Sequence, residues 1–470
     1  MPVGHVVPQM VLVAGAAVTL LHALAVPRHR QWVGAWLALG TVAAAAATTA
    51  ILMASVPQQL TFFGTWAVDG AAQWATLIVL GVTAVAIGLS PEWFGDDPRH
   101  GEYYSVLLFS ALGATLMAGA ADTMELVLGV LLSSVTGYTL AAYHRRSAAS
   151  VEAGIKYFLL GALTNALLLV GVALLFGLVG STIYGATQDG LASGPPSPAL
   201  PVAAGLVALG LAFKLGAVPA HAWVPDVAQG APGPAAAFLT VAPKVGALVA
   251  LARVLSILPA EQVGWRPLAA VLAATTMTLG NLAALWQDDL RRLLGWSAVS
   301  QSGYGLMALV AVDRSPLAVP ALLLFMAAYA LANTAAFGVV VELRGRTNIG
   351  SYRGLAAAHP WLAAALALAL LSLVGVPPLA GFTGKLTLFA ATIDAGYLWL
   401  AVLGVGNTVV SLFYYLRVLG PVYFEAAPAP APVLGRWAGT ATLAAALGVV
   451  VAGVAAEPLL AGFTSARLLP

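Results

Sequence analysis

Residues 201–222 have the sequence PVAAGLVALGLAFKLGAVPAHA, and this stretch decides the fold class. A run of about 20 apolar residues is long enough to cross a bilayer as a helix. Lys214 lies near the middle of the run, and Pro219 interrupts it five residues later. Because an ionisable amine inside a membrane is costly, a broken helix beside a lysine indicates a proton or cation pathway.

The rest of the chain has the same character. It has 470 residues, 61% of them hydrophobic and 8% charged. Since soluble domains have about 25% charged residues, this composition predicts an all-α integral membrane protein with a single polytopic domain. The lack of cysteine excludes thiolate metal sites and iron–sulfur ligation by this chain. The net charge of +2 gives no reason to expect nucleic acid.

Apolar runs predict about 14 transmembrane helices. They lie at about 8–26, 32–54, 71–89, 103–119, 122–143, 156–179, 201–222, 235–257, 267–286, 292–312, 317–342, 359–390, 394–421 and 435–456. The first run has no basic segment before it and is predicted to stay as a helix rather than to be cleaved. Residues 181–201 form a longer polar loop, and the Ala–Pro run at 427–432 predicts a stiff linker.

The arginines predict the orientation of the bundle. Connections from odd to even helices carry or adjoin Arg28, Arg30, Arg99, Arg145, Arg146, Arg291, Arg292, Arg344, Arg346, Arg353, Arg417 and Arg436. The opposite side has Arg253, Arg266, Arg314 and Arg467. The positive-inside rule places the first set in the cytoplasm, so both termini of an even number of helices face outward. We therefore expect a multi-pass protein of a bacterial plasma membrane.

A second interruption suggests internal symmetry. Pro377 and Pro378 break the twelfth predicted span, as Pro219 breaks the seventh. An offset of five spans, an odd number, places two equivalent units in opposite orientations. This is the inverted-repeat architecture of many ion-coupled transporters.

All four lysines of the chain lie in or against apolar helices. Lys214, Lys244 and Lys385 lie deep within their spans, and a desolvated lysine loses its proton more readily than an arginine. These three are the candidate proton-pathway residues. Lys156 follows Glu152 by four residues, and such a pair is also a common helix-surface stabiliser. His221 is either a proton relay or a packing residue.

The carboxylates give a weaker signal. Glu125 follows Asp122 at the start of the fifth span, so it is either a helix-capping residue or part of the pathway. Asp226 is either structural or an entry group. Asp288, Asp289, Arg291 and Arg292 together predict a charged anchor at the interface.

Several motifs resemble one known family. They are residues 152–163 (EAGIKYFLLGAL), 213–232 (FKLGAVPAHAWVPDVAQGAP), 241–244 (VAPK), 291–304 (RRLLGWSAVSQSGY), 375–385 (GVPPLAGFTGK) and a segment from Asn407 into 414–419 (YYLRVL). They are similar to subunit N of proton-translocating NADH:quinone oxidoreductase, respiratory complex I, a family of antiporter-like membrane subunits. The similarity extends over residues 100–425.

This resemblance implies two inverted five-helix repeats, spans 4–8 and 9–13. The domain organisation is then residues 1–100 for the first three helices, 101–257 and 267–421 for the repeats, and 435–456 for the last helix. It also implies one proton channel that contains Lys214, Lys244 and Lys385, with Glu125 and His221 as further candidates. The chain would bind no cofactor and no metal. NAD, FMN, iron–sulfur clusters and quinone would bind to partner subunits, which are the other membrane subunits and the peripheral redox arm.

One position departs from the family. The family has a fifth-span glutamate that pairs with the seventh-span lysine, and Leu131 occupies that place here. Either Glu125 replaces it or Lys214 lacks its usual partner. Gln301 stands where many relatives have histidine, and glutamine also supports a water chain.

The sequence thus predicts a proton-translocating subunit of complex I. One alternative is a subunit of a multi-subunit Na⁺/H⁺ antiporter, which shares the broken helices. Another is a non-pumping structural spacer of the same complex, for which the displaced glutamate is the best support.

Overall fold

The computed structural model describes residues 2–95, 97, 99–426 and 432–470. Within these residues the chain is mostly helical. The predicted Ala–Pro linker lies outside the described residues, apart from Pro432 at its end.

The first half of the chain includes most of the predicted apolar runs as separate helices. These are α1 (Val7–Ala25), α2 (Val33–Ser55), α3 (Gly70–Gly88), α4 (His100–Gly119), α5 (Thr123–Ala141), α6 (Ala148–Val179), α7 (Tyr184–Ser193), α8 (Ala199–Leu215), α9 (Trp223–Gly230), α10 (Gly233–Leu239) and α11 (Ala242–Ile257). Helix α7 corrects the sequence interpretation, because it forms within the segment that was predicted to be a polar loop.

The second half continues in the same way. Its helices are α12 (Ala260–Val263), α13 (Trp265–Leu285), α14 (Leu290–Val310), α15 (Ala318–Glu342), α16 (Leu355–Ala358), α17 (Pro360–Val374), α18 (Ala380–Asp394), α19 (Leu398–Phe424), α20 (Arg436–Val454) and α21 (Ala456–Thr464). Short 3₁₀ turns lie at Val3–Val6, Arg28–Arg30, Phe62–Gly64 and Ile349–Tyr352.

One small hairpin interrupts the helical pattern between α2 and α3. Strand β1 (Gln59–Thr61) pairs antiparallel with β2 (Trp66–Val68), with Leu60 opposite Ala67. The hairpin places Thr65 beside the start of α5, where its hydroxyl contacts Glu125.

Among the described residues, ten helical segments are long and apolar enough to cross a membrane. They are Val3–Ala25, Val33–Ser55, Gly70–Gly88, Thr123–Ala141, Ala148–Val179, Gly233–Ile257, Trp265–Leu285, Ala318–Glu342, Leu398–Phe424 and Arg436–Val454. Two shorter apolar helices, α8 and α17, are the first parts of the two helices that the sequence predicts to be broken.

Both predicted breaks are confirmed. Helix α8 ends at Leu215 and is followed by Gly216 with φ of 65°, before α9 begins. Helix α17 ends at Val374 and is followed by Gly375 with φ of 97°, before α18 begins. Glycine has no Cβ and adopts this left-handed conformation readily, so each helix can end abruptly. The structure also has a break between α10 and α11, within the predicted continuous span 235–257.

A buried ion pair ties distant parts of the chain together. Arg253, near the end of α11, binds Asp69 through two hydrogen bonds of 2.7 and 3.2 Å, and both side chains are 0% exposed. Asp69 also caps α3 by accepting from the amide of Ala72. The backbone amide of Leu469 donates to Asp69 as well, at 2.8 Å, which fixes the C-terminal segment. Arg253, which falls within the predicted span 235–257, is thus an interior residue paired with a distant carboxylate.

We expect Arg253→Met to destabilise the protein strongly, because it leaves the carboxylate of Asp69 buried without its counter-charge. Breaking a buried pair in this way costs about 3–5 kcal/mol. Arg353→Gln is the matched control, since the Arg353–Glu425 pair has exposed fractions of 54% and 44% and an exposed pair contributes about 1 kcal/mol or less. Thermal unfolding of the detergent-solubilised protein measures both. Equal shifts in Tm would contradict the assignment.

Candidate functional site

Helix α14 lies between the two broken helices and contributes a side chain to each break. The hydroxyl of Ser302 donates to the carbonyl of Leu215, the last residue of α8, at 2.5 Å. The amide of Gln301 donates to the carbonyl of Leu373, in the last turn of α17, at 3.2 Å. A broken helix leaves carbonyls without intrahelical partners, and inside a membrane the protein itself must satisfy them.

Lys385 belongs to α18, and its side chain reaches the C-terminal end of α17. Its amine donates to the carbonyls of Leu373 and Val374, at 2.9 and 3.0 Å. The amine also lies 4.2 Å from the centre of the Tyr304 ring. Because the C-terminal end of a helix has a partial negative charge, this is a favourable place for a cation.

Lys244, in α11, has a related position at the end of α8. Its amine donates to the carbonyl of Ala298 at 2.5 Å and to the hydroxyl of Ser302 at 2.9 Å. The same hydroxyl donates to Leu215. The amine lies 3.8 Å from the position that a Cβ on Gly216 would occupy. Lys244 is thus connected to the break in α8 through one serine.

Lys214 has a different environment. It is fully buried in the last turn of α8, and its amine has no hydrogen-bond partner among the described residues. The rings of Tyr157 and Phe213 lie about 6 Å away, at 6.0 and 5.9 Å. Trp223 stacks on Tyr157 at 4.2 Å and donates to the carbonyl of Phe213. Two aromatic rings thus lie near this amine, and no described residue forms a hydrogen bond with it.

Among the described residues, no carboxylate takes the place of the fifth-span glutamate that the family has. Within the described part of the chain, no Asp or Glu forms an ion pair with Lys214, Lys244 or Lys385. Glu125 instead accepts a hydrogen bond from Thr65 at 2.9 Å, and its second oxygen is buried without a partner there. Leu131 is partly buried against the apolar core. Asp122 caps α5, as its sequence position predicts.

Lys156 belongs to a separate charged cluster. Its amine lies 2.7 Å from Glu152, which confirms the predicted pair, and 3.0 Å from Asp226. Asp226 in turn binds Arg292 at 2.6 Å. The cluster therefore joins α6, α9 and α14. With 45% of its side chain exposed, Lys156 differs from the three buried lysines.

The charged residues at the start of α14, which were predicted to be an anchor at the interface, also hold α9 and α14 in place. Arg291 is buried and donates to the carbonyls of Ala228 and Ala231 at the end of α9. Asp289 caps α14 by accepting from the amide of Arg292.

His221 lies in the connection between α8 and α9. Its ring is half-buried and is 5.6 Å from the ring of Trp296. In the part of the chain that the structure describes, it forms no hydrogen bond to the three buried lysines.

A row of polar side chains beyond Lys385 was not predicted from the sequence. Tyr304 donates to the carbonyl of Gly404 at 3.0 Å. Asn281 donates to Asn407 and accepts from Tyr414, at 3.0 Å in each case. The asparagines of this row could have been identified from the sequence, because an asparagine within an apolar span is costly unless it has a hydrogen-bond partner.

Comparisons with known proteins agree with this architecture. A sequence profile of the family described as "NADH:quinone oxidoreductase/Mrp antiporter, TM" matches residues 120–411. The chain is 45% identical over 467 residues to NADH-quinone oxidoreductase subunit N of a Mycobacterium species, which covers 96% of both chains. The chain belongs to this family of antiporter-like membrane subunits. The resemblance to subunit N that the sequence motifs indicated is therefore confirmed.

Solved structures extend the comparison. A chain of respiratory complex I from Thermus thermophilus with bound aureothin has a TM-score of 0.84 and 32% identity, over 98% of this chain and 100% of that one. A chain of the Mrp complex from a Dietzia species has a TM-score of 0.85 at 21% identity, over 99% and 97%. The second likeness concerns the fold alone.

Gly216 provides a test of the break in α8. We expect Gly216→Ala to lower the thermal unfolding midpoint, because left-handed φ costs about 1–2 kcal/mol without glycine and the new Cβ would lie 2.3 Å from Val224. Gly205→Ala in the same helix is the control, since its Cβ would meet no atom within 4 Å. Replacing glycine within a helix is stabilising by roughly 0.5–1 kcal/mol. Equal midpoints for the two variants would be inconsistent with this role of Gly216.

Proposed function

We propose that this chain is a proton-translocating membrane subunit of an NADH:quinone oxidoreductase. The observation that carries the proposal is the arrangement of three buried lysines around the ends of α8 and α17. Redox chemistry in partner subunits would supply the driving force, and this chain would move protons by changes in lysine protonation and in the waters between them.

The shared contacts on α14 support a connected pathway. Ser302 binds Lys244 and the end of α8, whereas its neighbour Gln301 binds the same Leu373 carbonyl as Lys385. A small rotation or shift of α14 would therefore alter the hydrogen bonding of both lysines. Helices whose interruptions line an internal path are a common basis of ion transport.

In this proposal Lys214, Lys244 and Lys385 are the central proton carriers. Glu125 contacts the hairpin near the start of α5, so we assign it to one end of the pathway rather than to a pair with Lys214. His221 lies beside the break in α8 and would relay protons through water.

We further propose fourteen membrane crossings in two inverted five-helix repeats, spans 4–8 and 9–13. Ten described segments are long and apolar enough to span a membrane. Each half of the chain also has a broken helix with a lysine near its end. Both termini would face the outer side of a bacterial plasma membrane, as the distribution of arginines indicates.

The cofactors belong to partner subunits in this proposal. NAD, FMN, iron–sulfur clusters and quinone would bind to the peripheral arm and to other membrane subunits, and this chain would bind none. Its partners would be the other membrane subunits of complex I and the redox arm.

Two alternatives have specific support. The fold likeness to a chain of the Mrp complex is compatible with a subunit of a Na⁺/H⁺ antiporter. The absence of an ion-pair partner for Lys214 among the described residues is compatible with a non-pumping spacer. The 45% identity to subunit N over nearly the whole chain favours complex I.

Substitution of the buried lysines tests the transport role. We expect Lys385→Ala and Lys214→Ala each to reduce proton translocation severely while the complex still assembles, because each removes an ionisable amine that apolar groups cannot replace. Proton uptake and electron transfer are measured together in proteoliposomes. Lys156→Gln is the control, since it removes an exposed lysine. Normal pumping in both buried variants would remove these lysines from the pathway.

Co-purification tests the assignment to complex I. We expect the tagged chain, after gentle solubilisation, to carry with it a flavin- and iron–sulfur-containing dehydrogenase arm. Optical spectra of flavin and iron–sulfur groups and mass spectrometry of the partners measure this. Recovery of small membrane proteins alone, without redox groups, would favour the antiporter.

A further inference from the structure

Three connections on one side of the bundle meet in a basic cavity. The α3–α4 connection contributes Trp93, Asp97 and Arg99, the α5–α6 connection contributes His144, Arg145 and Arg146, and the connection after α15 contributes Arg344. These residues line a cavity of about 250 Å³. We call this group the arginine cavity. It is separate from the lysine pathway, because it lies at helix ends rather than within the spans.

Among the lining residues that the structure describes, the charge of the arginine cavity is strongly unbalanced. Four arginines line it, and Asp97 is the single carboxylate among its lining residues. Asp97 lies 3.6 Å from Arg99 and 3.7 Å from His144. Arg145 and Arg146 are exposed and, within the described residues, have no ion-pair partner. Among the described residues, two guanidinium groups are thus available to an anion.

The other side chains are held in place by the protein itself. The indole of Trp93 donates to His144 at 3.0 Å, while Arg344 donates to the carbonyl of Trp93 and lies 4.8 Å over its ring. Arg99 donates to the carbonyl of Tyr143 at 2.6 Å. Such contacts fix the walls of the cavity before any ligand binds.

The histidine in the wall is suited to accept that indole hydrogen bond. Burial is the largest influence on the pKa of His144 and lowers it, Asp97 raises it, and Arg344 and Arg99 lower it further. A neutral imidazole has one acceptor nitrogen, which the indole of Trp93 occupies. The net positive charge of the cavity therefore comes from its arginines.

We propose that the arginine cavity binds the phosphate of an anionic phospholipid. Guanidinium groups bind phosphate oxygens in bidentate geometry, and a phosphate would offset the excess of positive charge. Basic pockets between membrane helices on the cytoplasmic side are suited to such headgroups.

The position of the cavity favours a lipid over a free anion. Its residues follow or precede the ends of α3, α4, α5, α6 and α15, which is the level at which lipid headgroups lie. Trp93 and Tyr143 are aromatic residues of the kind that concentrate at this level. The adjoining helix α6 exposes large apolar side chains, including Ile155, Phe158 and Leu159, along which acyl chains can pack.

Native mass spectrometry of the full-length, delipidated protein tests the proposal. The probes are phosphatidylcholine, phosphatidylglycerol and diphosphatidylglycerol, titrated into the wild type and into the double variant Arg145→Gln/Arg146→Gln. We expect the anionic lipids to bind the wild type more tightly than phosphatidylcholine. The double variant should bind them at least about tenfold more weakly, since each arginine near the headgroups contributes about 1 kcal/mol.

Arg28→Gln/Arg30→Gln is the matched control, because it removes two exposed arginines from another connection on the same predicted side. We expect it to retain wild-type affinity, with circular dichroism and Tm unchanged in both double variants. Equal weakening in the two variants would reduce the effect to net charge and overturn the proposal, as would no weakening at all. Displacement of the lipid by equimolar inorganic phosphate would show a free-phosphate site and overturn the lipid assignment.

Discussion

The constraint on which this structure depends is that an interrupted helix in a membrane must find new partners for its backbone carbonyls. Helices α8 and α17 both stop within the bundle, where neither water nor lipid supplies reliable hydrogen-bond donors. The protein supplies them from a neighbouring helix and from lysine. Ser302 binds the end of α8, and Gln301 and Lys385 bind the end of α17. Ser302 and Gln301 therefore have two effects. They bind carbonyls at the helix ends, and they keep Lys244 and Lys385 close to α14.

Much of the architecture could be predicted, because the residues that interrupt each helix lie close in sequence to a lysine. A proline near a lysine in an apolar run indicates both that the helix is interrupted and which cation lies nearby, because these are local properties of the chain. The helices end at Gly216 and Gly375, close to the prolines from which the breaks were predicted. The lysines of the proposed pathway were similarly visible as ionisable residues in otherwise apolar spans.

Other features depend on contacts between distant segments and were not predictable. The pair of Asp69 and Arg253 joins residues 184 positions apart, and nothing near either residue indicates its partner. The contact of Glu125 with Thr65 depends on how a small hairpin lies against α5. Helix α7 was not predicted, because propensity alone does not distinguish a short surface helix from a loop in a polar segment. The environment of each lysine also depends on contacts between distant segments, so it could not be predicted from the sequence.

The environments of the lysines bear on the choice between a pump and a spacer. An amine that binds carbonyls at a broken helix, as Lys385 does, has a structural use whether or not protons move. Lys214 has no such use, because its amine has no hydrogen-bond partner among the described residues and faces aromatic rings. Where an ionisable group has no structural partner, an apolar residue of similar volume would stabilise the interior more. Stability alone therefore gives no reason for a lysine at position 214, and this supports the role in proton transfer that we propose for it.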